Sequence, residues 1–185
     1  AASDVYKRQD DTLWHNETIF RLTHARFVDL LADHGDEATI EARLAETEQR
    51  NLRLYGYGIK GFTLSMIETA MELTNGAAPP HVVREILAAG REMLAHPVET
   101  LPGVDAVVAE LSEKYRLLLI TKGDLLDQER KLAASGLGDL FSAVEIVSEK
   151  DRATYERVFT RHGTGPAEAV MAGNSMKSDL SLIHI

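Results

Sequence analysis

The stretch RLLLITKGD, from Arg116 to Asp124, decides the fold. Its short apolar run, Leu117 to Ile120, reads as a fully buried parallel strand. Behind it stand Thr121, Lys122, Gly123 and Asp124, which bring a hydroxyl, an ammonium, a flexible backbone and a carboxylate to the strand's end. Upstream, Val104 to Tyr115 carries Val104, Val107, Val108 and Leu111 on one face of a predicted amphipathic helix. Downstream, Leu125 to Ser135 reads as a second helix, stopped by Gly136.

The same pattern repeats toward the C-terminus. Ala143 to Val147 reads as a strand, Arg152 to His162 as a helix and Ala169 to Ala172 as a third strand. Helices alternating with short apolar strands predict an α/β fold with a Rossmann-like parallel sheet. The second strand is followed by Ser148-Glu149-Lys150-Asp151, and the third by a segment from Gly173 to Asp179 that includes Asn174. Open parallel sheets bind ligands beyond the carboxyl ends of their strands, so the three ends are expected to converge on one site. Each group alone also has a bland reading. Thr121 can begin a turn, Lys150 can be a solvated lysine, and Asp179 can favour a helix N-terminus.

From Asn16 to about His96 the periodicity is helical and no strand is evident. One helix carries Ile19, Phe20, Phe27, Leu30 and Leu31. A second starts near Asp36 with Ile40, Leu44, Leu52 and Leu54; a third covers about Phe62 to Leu73; a fourth runs from His81 to Ala95 behind Pro79-Pro80. This region reads as an inserted α-helical bundle. The glycine-rich Tyr55 to Phe62 segment reads as an inter-helix turn with aromatic packing, the other option being a flexible substrate loop.

The 185 residues, 44% hydrophobic and 26% charged, suffice for a sizeable core. A formal net charge of −9 argues against nucleic acid and anionic membranes as main partners, while leaving room for a small phosphorylated ligand held by local cations. No cysteine is present, so disulfides, thiolate metal sites and thiol nucleophiles are excluded. No apolar run approaches a membrane-spanning length, and a reducing cytoplasm is the expected location.

Asp10-Asp11-Thr12-Leu13-Trp14, then LITKGD, then SEKD, then AGNSMKSD occur in an order that resembles the haloacid dehalogenase-like hydrolase superfamily. Its motifs are Asp-x-Asp-x-Thr after a strand, a Thr or Ser after a strand, a Lys, and a final acidic pair. One branch inserts a helical cap directly after the first motif, where the bundle lies here. The resemblance implies a core of residues 10–15 and 99–180 and a cap of 16–98. It implies Mg²⁺-dependent hydrolysis of a small phosphorylated metabolite through an aspartyl-phosphate. Carried over by position, Asp10 is the acid/base and a metal ligand through its carbonyl, and Thr12 closes the first motif at the substrate. Thr121 binds a phosphoryl oxygen with help from backbone amides around Lys122 and Gly123. Lys150 neutralises charge, and Asn174 and Asp179 complete the metal site. Hard oxygen ligands suit Mg²⁺.

The departure from the pattern is at the nucleophile. Two residues before Asp10 stands Arg8, where the family has aspartate, and no apolar strand precedes it. Little or no phosphatase activity is therefore expected. Residues 1–9 and 181–185 resemble translated adaptor or library sequence and are expected to be non-native; a natural homologue that lost its nucleophile is the other reading. Three alternatives remain at this level. A 2-haloacid dehalogenase has no need of the acid/base at Asp10, a receiver-like signalling domain has no inserted bundle, and a catalytically dead protein would bind phosphate without turnover. Trp14 is expected to be packed, and His15 to be exposed or capping.

Overall fold

The computed structural model describes residues 12–174. They fall into two compact units, one of residues 16–97 and the other of residues 12–15 and 98–174. Arg8, Asp10 and Asp179 lie outside the described residues.

The first unit is a four-helix assembly: α1 (Glu17–Leu30), α2 (Glu37–Tyr55), α3 (Ile59–Leu73) and α4 (Pro80–Ala95). Each helix begins where local chemistry allows it. Asp36 caps α2 by accepting a hydrogen bond from the Thr39 N–H at 2.8 Å, and Pro80 occupies the first turn of α4, where its missing N–H costs nothing. Helical spacing then selects one stripe from each: Ile40 and Leu44 from α2, Ile59, Phe62, Met66 and Ala70 from α3, Val82, Ile86 and Met93 from α4. With Phe27 and Leu31 these form a continuous apolar core. Gly90 of α4 allows a close helix crossing, since a Cβ there would lie 2.5 Å from Thr63 Oγ1 of α3.

Two expectations for this unit are corrected. Leu54 is 71% exposed, because the buried stripe of α2 continues from Leu44 through Thr47 and Asn51 instead. The third helix starts at Ile59 rather than Phe62, and Gly61 lies inside it, facing the Gly56 carbonyl so closely that an added Cβ would come within 2.8 Å. The inter-helix turn expected within Tyr55 to Phe62 is confined to residues 56–58. Gly56 and Gly58 have φ of 71° and 117°, conformations that glycine adopts without a steric cost. Phe62 packs on Phe20 with ring centroids 5.3 Å apart, and the Tyr55 hydroxyl donates to Glu68 Oε1 at 2.8 Å.

The second unit contains α5 (Val104–Lys114), β1 (Leu118–Lys122), α6 (Leu125–Ser135), β2 (Ala143–Val147) and α7 (Arg152–His162). The two strands run parallel in the register Leu118 to Ala143 through Lys122 to Val147. Val108, Leu132 and Leu137 form the centre of its core, with Leu13, Leu117, Leu119 and Phe141 packed against them. Residues 12–15 join this unit by pairing with the segment at 99–101: Leu101 N–H donates to the Leu13 carbonyl at 2.8 Å and His15 N–H to the Glu99 carbonyl at 3.0 Å. Together the units form an α/β fold, a Rossmann-like parallel core carrying an inserted helical bundle.

The strand readings need three corrections. β1 includes Thr121 and Lys122, which continue the ladder with β2 instead of following it. Its apolar residues are half-buried and its buried member is Lys122, because β1 has a single ladder partner among the described residues. Ala169 to Ala172 forms no strand. Ala169 is extended, but the segment pairs with no neighbour among the described residues and Val170 is 98% exposed.

Candidate active site

The parallel register places the carboxyl ends of β1 and β2 side by side, with Thr121 opposite Ile146 and Lys122 opposite Val147. Each strand then turns directly into a helix. The turn after β1 passes through Gly123 and Asp124 into α6; the loop after β2 passes through Ser148 to Asp151 into α7. Both helices are capped by an aspartate: Asp124 accepts from the Asp127 N–H at 3.1 Å, and Asp151 from the Thr154 N–H at 2.8 Å. The Thr154 backbone hydrogen bond is the main reason the Asp151 carboxyl is held below its ordinary range. Two helix N-termini therefore open at one edge of the sheet. Their N–H groups and dipoles favour an anion there.

Lys122 ties the two strand ends together. Its side chain is 6% exposed, and its ammonium donates to Glu149 Oε2 at 3.1 Å. Lys150, on the same loop as Glu149, is half-buried, as is Thr121. The structure thus brings together four of the expected residues: Thr121, Lys122, Gly123 and Lys150. Of the other expected residues only Thr12 and Asn174 are described. Thr12 is half-buried and Asn174 exposed, and no hydrogen bond joins either to the turn after β1 among the described residues. The expected third converging strand end is therefore absent from the described geometry. Trp14 is buried, with its indole N–H unpartnered, and His15 is exposed.

Metal chemistry was expected at Asp10, Asn174 and Asp179. Among the described residues no group of three or more His, Asp or Glu side chains is placed to hold a metal ion. Of the expected ligands only Asn174 is described; the donor set as a whole, carboxylate and amide oxygens, has the chemistry a hard divalent cation takes.

Several residues at the site went unread in the sequence. Glu149, in sequence one charge among several in a polar loop, holds Lys122. On α6 the polarity is inverted: Leu125 and Leu126 are exposed, while Asp127, Gln128 and Lys131 are buried. Asp127 accepts from Lys131 Nζ at 3.1 Å and from Arg130 at 3.0 Å. The one available signal was the spacing of Asp127 and Lys131, four residues apart on a helix.

Residues 10–183 match the sequence profile of the haloacid dehalogenase-like hydrolases. A solved haloacid dehalogenase-like family hydrolase from Xanthomonas campestris superposes with a TM-score of 0.89 at 44% identity, over 95% of this chain and 74% of that one. A 2-haloacid dehalogenase from Pseudomonas syringae shares the fold at a TM-score of 0.61 and 18% identity, over 95% of this chain and 79% of its own. Human N-acylneuraminate-9-phosphatase is 26% identical over 118 residues, 61% of this chain. The chain spans 48% of that relative's length. Among the described residues no helix is long and apolar enough to cross a membrane. A profile matched from the first acidic motif to beyond the last, with strand ends and helix N-termini arranged as above, establishes that this chain belongs to the haloacid dehalogenase-like hydrolase family.

Proposed function

We propose that this chain has the architecture of a phosphohydrolase for a small phosphorylated metabolite, and that as written it binds the phosphoryl group with little or no turnover. The observation that carries the reading is the juxtaposition of the Thr121–Gly123 turn and the Lys150 loop, each opening a capped helix N-terminus at the same sheet edge. Such an edge supplies a hydroxyl, an ammonium and backbone N–H groups, which suits an anion with three or more acceptor oxygens.

In this reading Thr121 donates to a phosphoryl oxygen and Lys150 offsets charge as the phosphorus is attacked. Asp10 protonates the leaving alcohol and afterwards takes a proton from water, help worth roughly 10²–10⁴-fold in rate. Asp10, Asn174 and Asp179 would hold Mg²⁺, which supplies charge neutralisation when bound. The nucleophile is what the chain lacks: Arg8 stands at its position and cannot form the aspartyl-phosphate. A dehalogenase reading has less support, because Asp10 has no leaving alcohol to protonate in that chemistry. The likeness to a solved dehalogenase, at 18% identity, concerns the fold alone.

The test has two arms. Hydrolysis of an aryl phosphate with Mg²⁺ is expected to stay at background, and turnover comparable with an active relative overturns the inactivity. Binding of inorganic phosphate is expected in the unmodified chain and weaker in Thr121→Val and Lys150→Met. Absence of phosphate binding in the unmodified chain overturns the site itself.

A further inference from the structure

Gln128, in the first turns of α6, is 5% exposed and polar where a helix facing a core would ordinarily carry an apolar side chain. Its Nε2 donates to the Lys122 carbonyl across a long 3.4 Å, and its Oε1 is buried without a hydrogen-bond partner. The same carboxamide fills the space beside Gly123. A Cβ on that glycine would lie 2.7 Å from Nε2 and 3.4 Å from Cδ, and its φ of +151° lies where side chains are rarely tolerated. Gln128 and Gly123 thus fit each other, and both bear on the single peptide unit joining Lys122 to Gly123.

That peptide unit is planar and trans, so its C=O and N–H point in opposite directions. Holding the Lys122 carbonyl toward α6 turns the Gly123 N–H away from α6. The far side of the turn is fixed as well, since Asp124 caps α6 and the Gln128 N–H donates to the Asp124 carbonyl at 3.0 Å. We propose that Gln128 is a positioning residue: its carboxamide locks the Lys122–Gly123 peptide in the orientation that presents the Gly123 N–H to a phosphoryl oxygen. The inference rests on the phosphate-binding reading above and adds to it the residue that preorganises the turn.

The test follows the Gly123 amide resonance of the full ¹⁵N-labelled chain as inorganic phosphate is added. In the unmodified chain the resonance should shift with saturation. Gln128→Met keeps the side-chain length but removes the donor, and phosphate Kd should rise about fivefold to tenfold, the worth of one hydrogen bond. Leu132→Ala serves as the structural control: it loosens the buried face of the same helix without touching the turn, and its Kd should change less than about twofold. Gly123→Ala crowds the carboxamide from the other side. It should weaken phosphate similarly, with little further loss when combined with Gln128→Met, and it tests the proposal alone if the methionine variant does not fold. If Gln128→Met binds phosphate like the parent, or Leu132→Ala weakens it equally, the positioning role is overturned while the site stands. If the Gly123 resonance of the unmodified chain ignores phosphate, the site reading falls and the inference with it.

Discussion

Glu48 gives the sharpest test of the helical unit. It sits on α2 between the buried Leu44 and Asn51, and its Oε2 is buried without a hydrogen-bond partner. Burial disfavours the carboxylate and raises its pKa from an ordinary 4.5 to about 8. The folded state therefore keeps a proton that the unfolded chain releases. Between those two values the unfolded chain binds fewer protons, so stability must fall as pH rises through the window. At about 1.36 kcal/mol per pH unit, the penalty is on the order of 3 kcal/mol at neutral pH. Glu48→Gln removes the titration and keeps the shape. The assay is urea unfolding followed by far-UV ellipticity, for both proteins, from about pH 5 to pH 8. The curves should nearly meet at the acid end and separate toward the alkaline end, with the glutamine protein the more stable. Comparing the two proteins also cancels His24, whose pKa is lowered by burial and which titrates with the opposite effect. A constant difference across the range, or a glutamate protein that gains on the variant as pH rises, refutes the account.

Two further outcomes follow from packing and from one ion pair. Gly90→Ala gains about 1 kcal/mol of helix propensity but forces a Cβ against Thr63, an overpacking cost of about 1–3 kcal/mol, so ellipticity-monitored unfolding should register a net loss. In a Thr63→Ala background the same substitution should become neutral or stabilising, and a stabilised single variant would contradict the close helix crossing. On β2, Glu145 accepts from Arg161 at 2.6 Å and lies 2.7 Å from His162 Nε2. The His162 hydrogen bond chiefly holds its carboxyl below the ordinary range. A depressed carboxylate contributes stability above its unfolded pKa and loses it as pH falls through the folded one. Glu145→Gln should therefore cost about 1–2 kcal/mol at neutral pH, with the gap closing in acid; fluorescence of the sole tryptophan, Trp14, reports this unit.

The sequence disclosed most where backbone and burial agree. α6, β2 and α7 run between the expected residues because Gly136 stops α6, Asp124 and Asp151 cap their helices, and Ala143 to Val147 is short, apolar except for Glu145, and bounded by polar groups. It disclosed least where tertiary pairing decides. Ala169 to Ala172 has strand-like composition, yet a strand exists only if another backbone takes its hydrogen bonds. Leu54 has the right chemistry for a core, but the α2–α3 seam is polar: Asn51 Nδ2 donates to Ser65 Oγ at 3.2 Å and to Glu68 Oε2 at 2.9 Å. Periodicity counts apolar residues and cannot anticipate a seam built from amides and hydroxyls. Gln128 is illegible in sequence for the same reason, since nothing local distinguishes a buried glutamine from a solvated one.

The electrostatics of the site bear on what a change at the nucleophile does. The chain carries a net −9, but charges farther than about 8 Å from an exposed site are largely screened at physiological ionic strength. Close to the strand ends, Lys122 and Lys150 bring positive charge while Glu149 and the capping Asp124 and Asp151 bring negative charge, so attraction for an anion falls to the two ammonium groups and the N–H groups of the two helix N-termini. In an active relative, an aspartate nucleophile adds a negative charge that repels the phosphate and makes a cation necessary. On the reading proposed here, Arg8 at that position in the sequence removes the repulsion and the acceptor for the phosphoryl group together. Affinity for phosphate should then depend less on Mg²⁺ than in an active relative, and it should weaken with added salt, because the attraction comes from charges rather than from a coordinated ion.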